Sequence, residues 1–248
     1  LNELILASAS PDPENLFAAR EGLRREIAKT LRKRLEPIAT APSETPFSPG
    51  ADAAGRRALK AAALDLLAAL GPDMGDRFMS VFDEARSMTE WAAALEALAN
   101  SGSPLLDEAL ARFYERWQSN PLVIDKWFAI QAAAPRDDAI ERVQRLRDHA
   151  DFNTRNPNRV RALAAAFAMR NPRAFHSADG AGYRFLADPT EAIDPNNPAL
   201  AARLLTPFES WRRFDSERQQ HARAALERLA ALPNLSRNTR EMVERTLN

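Results

Sequence analysis

The chain holds three histidines, His149, His176 and His221, and they stand too far apart in sequence to share one helical face. Zinc hydrolysis from a helix needs H-E-x-x-H, in which two His one turn apart hold the metal and the Glu acts as general base. That pattern is absent, and each histidine reads as a surface or helix-end residue. With no cysteine there is no thiolate ligand, no thiol nucleophile and no disulfide. G-x-S-x-G and G-x-x-x-x-G-K-[ST] are also missing. The nearest glycine pair, in DGAGY, lacks a preceding strand and reads as a turn that places Tyr183 and Phe185.

Arginine is the more informative residue. Arg159 and Arg161, in NPNRVRAL, lie two apart and cannot share a helical face, so one of them points inward or sideways. Arg203, in NPALAARLL, sits among Ala201, Ala202, Leu204 and Leu205. An arginine there is costly unless it meets a carboxylate, a helix C-terminus or a water-filled cavity, with pairing the default. In NPLVIDKWFAIQAAAP the charges Asp125 and Lys126 interrupt an apolar run. On a helical wheel Val123, Ile124, Trp127, Phe128 and Ile130 share a broad face, while Asp125 and Lys126 flank a small-residue face of Ala129, Ala132 and Ala133. The pair therefore reads as packing, and Gln131, inside the bulky face, needs hydrogen-bond partners if it is buried.

From Arg20 to Arg34 seven basic residues face two acidic ones, with Leu23, Ile27 and Leu31 between them. That helix suits RNA or a membrane surface only if a matching basic and aromatic stripe exists elsewhere, and none does. Formal charge balances, with 34 basic and 34 acidic side chains, so the segment reads as a solvated or interdomain face. The expected partners exclude nucleic acid and membrane.

These side chains must be positioned by helices. There are five Val, seven Ile and eight Gly, and strict apolar-polar alternation nowhere persists for a strand's length. The Asn-Pro pairs at Asn120, Asn156, Asn171 and Asn197 mark helix starts, since Asn caps free amides and Pro fits the first helical position. Ser103-Pro104 reads as a fifth. The expected helices run from Glu14 to Leu35 and over 52–70, 73–86, 88–100, 104–118, 121–134, 137–149, 157–169, 194–206, 215–231 and 235–247. One irregular loop near 39–52 interrupts them. Short joints between helices predict an all-α fold of antiparallel pairs stacked as a curved α-solenoid of armadillo or HEAT type, with a compact bundle as the alternative. Residues 1–248 are expected to form one helical domain, and Leu1 falls inside an amphipathic pattern that points to chain upstream.

NPLVIDKWFAIQAAAP, NPNRVRALAAAFAMRNPRAFHSADGAGYRFLAD and NPALAARLLTPFESWRRFD together resemble the C-terminal helical domain of bacterial aminopeptidase N, of the gluzincin zinc metallopeptidases. The resemblance implies a noncatalytic domain that caps a zinc-bearing catalytic domain of the same polypeptide and lines a chamber where N-terminal residues are released from peptides. It implies no cofactor in this chain, zinc in the parent enzyme, no activity for the chain alone, and a cytoplasmic setting. By motif position it places Arg161 and Arg203 on the substrate channel, with the peptide at a concave face. A Gln common in relatives is replaced here by Ala199. The alternative from another class is an independent helical-repeat scaffold that binds proteins.

Overall fold

The computed structural model describes residues 1–248, and every regular element in it is helical. In chain order these are α1 (Asn2–Ala7), α2 (Pro13–Ala39), α3 (Ala51–Ala68), α4 (Gly75–Glu84), α5 (Met88–Asn100), α6 (Leu106–Trp117), α7 (Pro121–Ala133) and α8 (Ala139–Arg147). There follow α9 (Pro157–Val160), α10 (Ala166–Arg170), α11 (Pro172–Phe175), α12 (Ala181–Ile193), α13 (Pro198–Leu204), α14 (Ser216–Ala230) and α15 (Arg237–Leu247). A π-helical turn, Arg161–Ala165, joins α9 to α10, and 3-10 turns occupy Pro72–Met74 and Thr206–Arg213. The chain divides into two compact units, residues 18–130 and residues 1–17 with 131–248.

All four Asn-Pro starts form as the caps predict. The side chain of Asn156 accepts from the amides of Asn158 and Arg159, that of Asn171 from Ala174, and that of Asn197 from Leu200. Asn120 Oδ1 accepts from the Leu122 and Val123 amides. Ser103-Pro104 differs: Ser103 Oγ binds the Leu105 amide, and the helix begins only at Leu106. The first long helix also runs on through Pro37 to Ala39, four residues past the expected Leu35.

In the unit of residues 18–130, α5 packs on α3 and α4 through Leu64, Leu67, Phe78, Leu95 and Leu98, all buried. The irregular loop, residues 40–50, is tied to this core by a buried ion pair. Glu90 and Lys60 are 4% and 7% exposed and meet at 3.0 Å. Glu90 also accepts from Ser43 Oγ at 2.7 Å, from Ser87 Oγ at 2.9 Å and from the Arg86 amide at 3.3 Å. Lys60 donates to the Ala41 carbonyl at 2.7 Å. Ser87 Oγ in turn accepts from the Glu90 amide and so caps the start of α5. Burial alone would raise the Glu90 pKa, but these donors hold it down to about 2. The basic stretch of α2 is largely neutralised locally: Arg24 pairs with Glu21 and Asp65, Lys29 with Glu26 and Arg32 with Glu36. No helix is long and apolar enough to cross a membrane.

The second unit contains a helix absent from the sequence reading. Residues 181–193 form α12 despite Gly182 and Pro189, and α13 starts only at Pro198, not at 194. Gly182 is there because α12 touches α11: a Cβ at Gly182 would lie 2.3 Å from the Phe175 carbonyl oxygen and 2.6 Å from its Cα. Those are backbone atoms, which cannot swing aside. Gly182→Ala is expected to cost about 1–3 kcal/mol by overpacking, read as a lower urea midpoint; an unchanged midpoint would contradict the close approach.

Around that contact lies an aromatic core. His176, Tyr183, Phe175, Phe208 and Phe214 are buried together. The Phe175 and Phe208 rings meet edge-on at 5.5 Å, and His176 stacks 4.2 Å from Phe214. His176 is thus a core residue at a helix end, not a surface residue, because its neighbours along the fold are aromatic. Its Nδ1 lies 2.9 Å from the Tyr183 hydroxyl, while its carbonyl accepts from Arg218 Nε at 2.7 Å. Burial, with the nearby Arg218 charge, pushes the imidazole down to about 3. Burial likewise pushes the Tyr183 phenol upward.

Candidate functional site

The segment from Asn156 to Arg170 sets the direction of two arginines. With α9 capped by Asn156, Arg159 turns inward and is buried, its Nη1 donating to the Asp151 carbonyl at 2.5 Å. Arg161 turns outward and is exposed, with Nη1 donating to Asn158 Oδ1 at 3.0 Å. The inward and outward pair is the arrangement that spacing by two requires. Arg161 is also the first residue of the π turn, and Ala162, Leu163 and Ala164 of that turn are buried. Such turns interrupt α-helices often at functional positions.

Arg203 lies in the last turn of α13 and is exposed, with no carboxylate within ion-pair distance. The expected pairing is therefore corrected. The side chain leaves the apolar face of α13, where Leu200, Ala201 and Leu204 are buried, and is solvated instead. The helix behind it is firmly held. Asp194, 2% exposed, accepts from the Ser236 amide at 2.7 Å, from Ser236 Oγ at 2.5 Å and from Thr239 Oγ1, which bridges the end of α12 to the start of α15.

Arg161 and Arg203 thus sit in one compact unit as solvated guanidiniums on different helices, and no hydrogen bond joins them. Neither faces a carboxylate, so each keeps its charge and planar donor fork for an external acceptor. No group of three His, Asp or Glu is arranged to hold a metal ion, so the side chains of this chain do not fit a zinc site. Of the other singled-out residues, Gln131 is buried and accepts from Arg142 Nη1 at 3.3 Å, which answers its need for a partner. Lys126 is exposed and Asp125 half-buried beside the small-residue face, as packing predicts.

The family model "Domain of unknown function (DUF3458_C) ARM repeats" matches residues 2–248. The chain belongs to this family. As an ARM-repeat domain it is all-helical, in keeping with short-jointed helices stacked in pairs. The domain is 43% identical to aminopeptidase N of Caulobacter vibrioides across 99% of this chain and 29% of that protein. It is 37% identical to aminopeptidase N of Escherichia coli across 95% of this chain and 27% of that protein. Among solved structures, aminopeptidase A of Legionella pneumophila, crystallised in complex with aspartic acid, superposes with a TM-score of 0.84 at 32% identity, over 99% of this chain and 30% of that one. The ARM-repeat domain therefore spans less than a third of these relatives, and corresponds to the C-terminal helical domain of aminopeptidase N-type proteins.

Proposed function

We propose that the parent polypeptide is a cytoplasmic zinc aminopeptidase that releases N-terminal residues from peptides. In this reading residues 1–248 act as a single capping domain over the catalytic domain and line the substrate chamber. The zinc and its general base belong to the remainder of the polypeptide, and the chain alone hydrolyses nothing. Arg161 and Arg203 take the part of channel residues that hold the leaving peptide. The observation that carries this is their shared state: both are solvated, unpaired with carboxylate and set on helices started by Asn-Pro caps. An exposed guanidinium without a local counter-ion is suited to a peptide carboxylate arriving from solution.

In the full-length polypeptide, Arg161→Ala and Arg203→Ala are each expected to lower kcat/KM for peptides by about tenfold, as loss of one charge-assisted contact of ~1.4 kcal/mol would. Single-residue chromogenic amides, which carry no peptide beyond the scissile bond, should change by less than about twofold. Equal losses on both substrate types would remove the channel role.

A further inference from the structure

The end of α4 and the facing sides of α5 and α6 line a small, open-mouthed cavity of about 110 Å³, well away in sequence from the arginines above. Arg112 and Arg116, one turn apart on α6, stand at its wall with Arg86, Asp83, Trp91 and Trp117. The Arg116 guanidinium lies 4.7 Å from the Trp91 ring centroid and 5.6 Å from that of Trp117, a cation–π arrangement. The two indoles meet edge-on at 5.5 Å. Arg112 lies over Phe82 and is committed to Asp83 and, at 3.6 Å, to Glu108.

What remains uncommitted is one-sided. Neither Arg86 nor Arg116 has a carboxylate partner, and the Trp117 Nε1–H is buried with no acceptor in the protein. An indole nitrogen only donates, as do guanidiniums. The one acidic side chain in the wall is already held by Arg112. A polar cavity whose free groups are all donors, two of them cationic, selects a ligand that only accepts. Its volume suits three or four oxygens about one central atom and is too small for a nucleotide.

We propose that this cavity is an oxyanion site that binds a phosphate-sized or carboxylate-sized anion between Arg86, Arg116 and the Trp117 indole. The indole N–H is itself buried, so its part in binding requires the wall around it to open. Its residues are distinct from the two assigned to the peptide channel.

Calorimetric titration of the full-length polypeptide at low salt, with inorganic phosphate and separately with acetate, tests it and tells the two anion types apart. The expected result is one saturable event with at least one of them, weakened more than tenfold by Arg116→Gln and about threefold by Trp117→Phe, and unchanged by Arg237→Gln on α15. Trp117→Phe removes the N–H and keeps an aromatic side chain, so an intact melting curve alongside lost affinity separates binding from folding. Absence of a saturable event with either anion, or an affinity that Arg116→Gln and Trp117→Phe both leave unchanged, overturns the proposal.

Discussion

Glu90→Ala lowers the unfolding free energy by about 3–5 kcal/mol, because it strands the Lys60 ammonium in a buried setting without its counter-ion. The loop of residues 40–50 loses its anchor at the same time, since Ser43 donates to Glu90 and Ala41 accepts from Lys60. Urea unfolding with hydrogen exchange read at α3 and α5 measures the effect. Replacing the pair together, Lys60→Met with Glu90→Leu, is expected to recover most of the loss, as apolar side chains of similar size fill the space without desolvating charge. A double variant no better than Glu90→Ala would mean that the ion pair itself, and not the stranded charge, matters. The pH dependence follows from the folded pKa of about 2 against 4.5 for the free carboxyl. A depressed carboxyl stabilises the fold above its unfolded pKa, and this contribution, about 3 kcal/mol, is lost as pH falls from roughly 5 through 2.

His176 produces the larger and earlier acid sensitivity. In the folded chain its imidazole stays neutral down to about 3, whereas in the unfolded chain it takes a proton near its ordinary 6.5. Below that value the unfolded state binds the additional proton, so stability falls as pH falls, by about 1.4 kcal/mol per pH unit and about 4–5 kcal/mol by pH 3. Between pH 6.5 and 5 only His176 of these two groups titrates, so that window separates it from Glu90. Hydrogen exchange of α12 and α14 amides across the window should show protection dropping by about 2 kcal/mol. In His176→Phe, which keeps a ring against Phe214 and cannot be protonated, the slope in that window should flatten. A slope that survives the substitution would assign the sensitivity elsewhere.

How far these features could be read from sequence depended on the range of the interaction behind each. The Asn-Pro starts were legible because cap and amide lie within three residues of each other, as at Asn197 and Leu200. The outward turn of Arg161 was half legible: spacing by two says that Arg159 and Arg161 diverge, but the Asp151 carbonyl that receives Arg159 comes from outside the motif. Helix α12 was hidden because Gly182 reads locally as a breaker, while its reason, the backbone of Phe175 against it, comes from packing. The default pairing of Arg203 with a carboxylate failed because its neighbours in sequence are apolar, although the helix directs them to the core and the guanidinium to water. The cavity walled by Arg86, Arg116 and Trp117 gave no signal, since α6 supplies Arg112, Arg116 and Trp117 while Trp91 comes from α5 and Arg86 from the joint between α4 and α5.

The π turn at Arg161–Ala165 has a consequence for how this segment tolerates change in length. Such a turn accommodates one residue more than the α-helix it interrupts. Downstream, Asn171 is pinned by its amide to the Ala134 carbonyl at 2.7 Å, and upstream Asn156 is fixed as a cap, so both ends of the segment are held. Loss of one alanine between them relaxes the turn to ordinary α geometry and leaves both anchors, and Arg161 on the upstream side, in register. Elsewhere in a helix a single-residue gap displaces everything beyond it; here the additional residue of the turn absorbs the gap.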